Sequence, residues 1–79
     1  YHKPEGVIYK SNFAFLYYYG LAGYNKDFNK AKELYEEAAV LGDAYSKLNL
    51  GNMYYEGIGV KKDYAKAKKY YALDKQQIP

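Results

Sequence analysis

The chain has 79 residues, of which 49% are hydrophobic and 27% are charged, a balance typical of a folded domain and not of a disordered one. It has no cysteine, which excludes a disulfide framework and a thiolate metal site, and its formal net charge is +3. No apolar run approaches the roughly 18 residues that a membrane-spanning helix needs, so membrane insertion is not expected.

The first residue is Tyr1 and not methionine, and no signal peptide is evident at the start of the chain. We therefore expect a fragment or a processed product whose targeting segment could be missing. The cellular compartment is not predicted.

Two helices are predicted in the first half. The first covers about residues 5–19, with Pro4 in its first turn and Gly20 at its end. Its apolar residues cover most of the circumference, so we expect it to have partners on more than one side. The second covers about residues 28–41 and is capped by Asp27. Its apolar residues follow the i, i+3, i+4, i+7 spacing of one buried stripe: Ala31, Leu34, Tyr35 and Ala38.

Two more helices are predicted in the second half, at about residues 44–56 and 64–75, with Asp63 as the cap of the last one. The very short turn before residue 44 makes the second and third helices antiparallel neighbours. Gly51 lies in the middle of the third helix, where glycine costs about 1 kcal/mol relative to alanine. We expect close approach of another backbone to compensate for it.

The two halves repeat one pattern. Tyr17 aligns with Tyr54 (54 − 17 = 37) and Asp27 with Asp63 (63 − 27 = 36), because the first loop carries one extra residue near Ala22. Repeats of this period are typical of solenoids. The prediction is an all-α fold, an α-solenoid of antiparallel helix pairs with four helices. Its parts are one domain over residues 1–79, repeat 1 at about 5–42, repeat 2 at about 43–75 and a frayed tail at 76–79.

Many residues of the second half match one known pattern: Leu50-Gly51, Tyr54, Gly57-x-Gly59-Val60, Asp63, Lys66-Ala67 and Tyr70-Tyr71. The first half matches it at Tyr17, Gly20, Gly23, Asp27, Lys30-Ala31, Leu34-Tyr35, Ala38-Ala39 and Gly42-Asp43, and departs from it at Phe13-Ala14 and Tyr24. Both resemble the Sel-1-like repeat, a relative of the tetratricopeptide repeat. The resemblance implies a right-handed α-solenoid whose inner surface binds proteins or peptides, and no common enzymatic reaction.

The number of repeats bears on stability. Each repeat leaves a hydrophobic face for a neighbour, so about three or more are usually needed. We therefore expect a piece of a longer superhelix, with self-association through the exposed repeat ends as the alternative.

The side-chain groups that enzymes use are mostly missing. His2 is the sole histidine and lies at the terminus, and the carboxylates of Glu33, Glu36 and Glu37 are expected on a solvated helix face. The segment Gly57-Ile58-Gly59 follows a helix and lacks the Gly-Lys-Ser/Thr of a phosphate loop. We predict no enzyme activity, no cofactor, no metal and no small-molecule substrate.

The candidate binding residues recur at a spacing of 37. Lys10, Asn12 and Tyr18 in the first helix correspond to Lys47, Asn49 and Tyr55 in the third (47 − 10 = 37). The resemblance implies that these helices line the inner wall, where ammonium, amide and ring could contact a peptide. The alternative is that the asparagines only cap the helices or space their packing, and that the tyrosines belong to the core. The predicted partner is a protein or peptide of unknown identity.

A second functional hypothesis comes from charge. Residues 44–79 carry seven lysines and three acids, or +4, whereas residues 1–43 carry five lysines and six acids, or −1. The lysine-rich half could bind nucleic acid or another acidic surface through Lys61, Lys62, Lys66, Lys68 and Lys69. The alternative is that these lysines only form a solvated helix face. Phosphate binding weakens steeply with added salt, which distinguishes it from peptide binding in a groove.

Overall fold

A computed structural model of the chain describes residues 4–75, with side chains described for residues 9–72. The described residues form four helices and no strand: α1 (Pro4–Tyr19), α2 (Phe28–Val40), α3 (Ala44–Glu56) and α4 (Tyr64–Lys75). The all-α prediction is confirmed, and the predicted helix bounds agree with the observed ones to within one residue. His2 and the predicted tail at 76–79 lie outside the described residues.

The helix ends follow the capping residues. The side chains of Asp27, Asp43 and Asp63 each accept a hydrogen bond, at 3.0 Å, from the backbone N–H three residues later. Gly57 ends α3 in the left-handed conformation, with φ 71°, which glycine adopts without steric cost. Ala22 lies at φ 53° in the loop after α1, where the first repeat carries its extra residue.

The helices pack in chain order. The main contacts join α1 to α2, α2 to α3, and α3 to α4, so α2 lies between the first helix of its own repeat and the first helix of the next. One buried cluster runs through both repeats and consists of Ala14, Ala31, Tyr35, Leu50 and Met53. The core is therefore continuous across the boundary between the repeats.

The duplication of sequence is also a duplication of contacts. The rings of Tyr18 and Phe28 lie 5.2 Å apart in repeat 1, and the rings of Tyr55 and Tyr64, their counterparts, lie 5.1 Å apart in repeat 2. A lysine ammonium lies over the second ring of each pair, at 5.9 and 6.0 Å. Residues at corresponding positions thus have corresponding surroundings, unless a neighbouring repeat covers only one of them.

Gly51 is explained by a side chain and not, as expected, by a backbone. A Cβ atom at Gly51 would lie 2.6 Å from Cε1 of Tyr71 on α4. The Tyr71 hydroxyl donates a hydrogen bond to Oδ1 of Asn52 at 2.5 Å, which holds the ring over the glycine. The corresponding position in repeat 1 is Ala14, which is fully buried.

Candidate functional site

The two predicted lysines lie on the packed side of their helices. Lys47 is only 8% exposed and lines a cavity of about 370 Å³ between α2, α3 and α4. Lys10 is half-buried, and its ammonium forms an ion pair with Glu37 of α2 at 2.6 Å. Both lysine side chains therefore contact a neighbouring helix.

The two predicted asparagines lie elsewhere on the same helices. Residues two apart on an α-helix are separated by about 200° around its axis, so Asn12 and Asn49 cannot share a face with Lys10 and Lys47. Asn12 is exposed. Asn49 is half-buried, and its Nδ2 donates to the carbonyl oxygen of Tyr45 at 3.0 Å. The structure thus brings lysine and asparagine together in neither repeat.

Each of the two predicted tyrosines packs against an aromatic ring at the start of the next helix. Tyr18 is half-buried against Phe28, and burial raises its pKa, with smaller contributions from the nearby Tyr19 and Glu56. Tyr55 is exposed, although its ring packs against Tyr64 in the same way. The difference in burial indicates that Tyr18 is covered by the second repeat, whereas Tyr55 is not.

The asparagines have aromatic neighbours that the sequence analysis did not single out. Phe15 (37% exposed), Tyr19 (53%) and Tyr45 (47%) are among the exposed large apolar side chains. Phe15 and Tyr19 follow Asn12 at i+3 and i+7, and Asn49 follows Tyr45 at i+4, so each group lies on one side of its helix. We call these five residues the α1–α3 face: Asn12, Phe15, Tyr19, Tyr45 and Asn49. Counting helical spacing outward from the asparagines would have found it.

A buried tyrosine connects the two halves of this face. The ring of Tyr35 on α2 lies 6.2 Å from that of Tyr45, at an angle of 68°. Burial raises the pKa of Tyr35, and nearby Tyr45, Tyr19 and Tyr18 raise it further. Tyr19 of α1 and Tyr45 of α3 therefore both lie close to one buried phenol.

The described residues also bear on the metal, membrane and nucleic-acid hypotheses. The described residues contain no group of three or more histidine, cysteine, aspartate or glutamate side chains that could hold a metal ion. Within the same range, none of the helices combines the length and the apolar character required to cross a membrane. The five lysines of the alternative hypothesis are all exposed: Lys61, Lys62, Lys66, Lys68 and Lys69.

Consecutive helix pairs with duplicated contacts define the class of the protein, an α-solenoid of helical repeats. The family model of the Sel1 repeat matches residues 12–43 and again residues 44–73. The chain belongs to the Sel1 repeat family, and the resemblance seen in its sequence is confirmed.

Two curated relatives and one solved structure are similar to the chain. It is 44% identical over 46 residues to the "ERAD-associated E3 ubiquitin-protein ligase component HRD3" of Candida glabrata, covering 58% of this chain and 6% of that protein. It is 34% identical over 53 residues to "Protein sel-1 homolog 2" of Rattus norvegicus, covering 67% of this chain and 8% of that protein. A Sel1 repeat protein from Oxalobacter formigenes superposes with a TM-score of 0.86 at 32% identity, over 90% of this chain and 29% of that one.

The family indicates a general function but no particular partner. Sel1 repeat proteins generally mediate protein–protein interactions and are typically non-catalytic scaffolds. The relatives give no support for the nucleic-acid alternative. The chain spans less than a tenth of the length of either curated relative, so their names describe those whole proteins.

Proposed function

We propose that the chain is a protein-interaction module that holds a segment of a partner protein against the α1–α3 face. The observation that supports this most is the exposure of three large aromatic rings, on Phe15, Tyr19 and Tyr45, beside two asparagines on the first helices of both repeats. Phe15 and Tyr19 lie on a different side of α1 from the buried Ala14. Tyr45 remains 47% exposed although its ring also contacts the buried Tyr35.

The chemistry of the face suits an extended peptide. Aromatic rings provide a large contact area with few rotatable bonds, so little conformational entropy is lost when they are covered. A carboxamide offers both a donor and an acceptor, which match the two polar groups of a peptide bond. All five residues are uncharged, so we expect an affinity that depends only weakly on salt.

The predicted residues have different parts in this proposal. Asn12 and Asn49 contact the peptide directly. Tyr18 and Tyr55 lie outside the face, because their rings pack against Phe28 and Tyr64 of the following helices. Lys10 and Lys47 act through helix packing, since one is paired with Glu37 and the other is buried.

A selection from a displayed random-peptide library on the immobilised chain tests the proposal. Selected peptides are then measured on a variant with Phe15→Ser and Tyr19→Ser, which removes two rings in mutual contact at 4.8 Å. The matched control, Tyr55→Ser with Tyr64→Ser, removes another exposed pair at 5.1 Å on a different side. We expect the first variant to weaken binding by about tenfold or more and the control to change it little.

Two results would contradict the proposal. One is a set of peptides that bind the Phe15/Tyr19 variant as well as the original chain but are lost on the control. The other is an affinity that falls about a thousandfold or more between about 50 and 200 mM salt, as expected for phosphate contacts through the lysines.

A further inference from the structure

A groove on the outer side of repeat 1 is lined by rings that nothing within the described residues covers. It has a volume of about 200 Å³ and lies between α1 and α2, on the side of repeat 1 away from repeat 2. Its lining residues are Tyr9, Lys10, Phe13, Tyr17, Lys30 and Leu34. We call it the open groove.

The second repeat shows what covers such a surface. By the spacings of 37 and 36, the counterparts of the lining residues are Ser46, Lys47, Leu50, Tyr54, Lys66 and Tyr70. Ser46 is fully buried, whereas its counterpart Tyr9 is 64% exposed. Leu50 and Tyr54 are buried too, whereas Phe13 and Tyr17 are only half-buried. The difference arises because α2 packs against the first helix of repeat 2 and no described helix occupies that place on repeat 1.

The helix that covers the counterpart surface in repeat 2 is α2, which presents an acidic residue and small apolar residues there. Glu36, Ala39 and Val40 of α2 line a cavity together with Lys47 and Tyr70. Ala38, next to Ala39, is fully buried, and small residues at these positions let helices approach closely. Part of the α2 sequence is thus Glu-x-Ala-Ala, with the acid on the side of repeat 2.

The carboxylate of Glu36 in repeat 1 raises the pKa of two groups in repeat 2. The pKa of Lys66 is raised, first by its hydrogen bond to Tyr54 and in smaller part by Glu36. Burial and then Glu36 raise the pKa of Tyr70. The counterpart of Lys66 is Lys30, whose side chain lines the open groove. Glu36 is paired with Lys32 of its own helix at 3.5 Å and lines a cavity together with Tyr70. The counterpart of Tyr70 is Leu34, which lines the open groove beside Lys30, so a glutamate at the same place on repeat 1 would lie on the side of Leu34 and Lys30.

We propose that the open groove binds a partner helix with the chemistry of α2, in which a Glu-x-Ala-Ala segment places its small residues against the rings and its glutamate near Lys30. This surface is separate from the α1–α3 face, so the proposal does not rest on the proposed function. Tyr9 and Phe13 are larger than Ser46 and Leu50, which strengthens the requirement for small residues on the partner.

A second copy of the chain, stacked head to tail, is a poor occupant. It would present α4 to the open groove, and α4 has Ala72 where α2 has Glu36. At the positions of Ala38 and Ala39 its sequence has Asp74 and Lys75. Because the side chain at the position of Ala38 is fully buried in the covered surface, an aspartate there would be costly.

The test uses the ¹⁵N-labelled chain and a synthetic peptide of the α2 sequence, residues 28–41, with a hydrocarbon staple between positions 33 and 37, both exposed on α2. We expect saturable shifts of the backbone amides of Tyr9, Phe13 and Leu34. A matched peptide carrying Ala38→Asp and Ala39→Lys, as in α4, is expected to bind at least about tenfold more weakly.

Two chain variants complete the test. Tyr9→Ala should weaken the peptide by about tenfold, and Tyr55→Ala, which removes a similarly exposed ring on another side, should leave it unchanged. Lys30→Glu should weaken the original peptide, and a peptide with Glu36→Lys should restore binding to that variant.

Three outcomes overturn the proposal. The first is equal binding of the two stapled peptides, and the second is that the largest amide shifts lie on α3 and α4. The third is self-association of the chain that covers Tyr9 and Phe13. The last would make a second copy the occupant.

Discussion

Replacing Gly51 by alanine tests how closely α3 and α4 pack. An isolated helix would gain about 1 kcal/mol from this change, because glycine is the poorer helix former. In this chain, however, the new methyl group would lie 2.6, 2.8 and 3.1 Å from Cε1, Cδ1 and Cζ of Tyr71. All three distances are shorter than an ordinary carbon–carbon contact of about 3.5–4.0 Å.

The ring cannot move away without a further loss. Its hydroxyl donates to Oδ1 of Asn52, the residue next to the substituted one, at 2.5 Å. Overpacking of this kind costs about 1–3 kcal/mol, and breaking the hydrogen bond costs about 0.5–1.5 kcal/mol more. After subtracting the helix-propensity gain, we expect Gly51→Ala to lower the free energy of unfolding by about 1–3 kcal/mol.

Thermal unfolding followed by circular dichroism measures the effect. A change of 1 kcal/mol shifts Tm by about 4–8 °C in a domain of this size, so the decrease should be clear. The control is the same substitution in a Tyr71→Ala background, where the ring is gone and Gly51→Ala should raise Tm. If Gly51→Ala raises Tm with Tyr71 present, the packing of α4 on α3 is not as described.

Three further predictions concern stability. Ala22→Gly should raise the free energy of unfolding by about 0.5–1 kcal/mol in urea unfolding, since Ala22 has φ 53°; a decrease would contradict this. Asp43→Ala should cost more than the about 1 kcal/mol expected for Asp63→Ala, because Asp43 also accepts from the buried Ser46 hydroxyl at 2.5 Å; equal losses would argue against that bond. Because the pKa of Tyr35 is raised in the folded chain, the unfolded chain loses the phenol proton first as the pH rises. The free energy of unfolding should therefore fall above about pH 10, and it should fall less steeply in Tyr35→Phe. Equal slopes in the two proteins would show that Tyr35 does not cause the pH dependence.

The sequence was sufficient to predict the helices and their ends. Asp27, Asp43 and Asp63 act through local hydrogen bonds, and Gly57 acts through its own backbone conformation. These effects extend over only a few residues, so they can be recognised without knowing the packing. The same holds for the alignment of the two repeats, which requires only the spacing along the chain.

The faces of α1 and α3 were predicted less well. Lys47 is buried because α2 and α4 both pack over it, and a spacing along one helix does not contain that information. Likewise, nothing local to Gly51 reveals that Tyr71 lies above it, since the contact depends on how α4 crosses α3. Tyr45 could not be recognised from the repeat pattern for a different reason. Its counterpart in repeat 1 is Ile8, so the aromatic residue is not repeated.

The most direct measurement for the central claim is a map of backbone amide shifts on the ¹⁵N-labelled chain saturated with a library-selected peptide. Recognition of a partner segment by the α1–α3 face predicts the largest shifts at Asn12, Phe15, Tyr19, Tyr45 and Asn49. Largest shifts along the exposed lysines of α4, with these five residues unchanged, would contradict it.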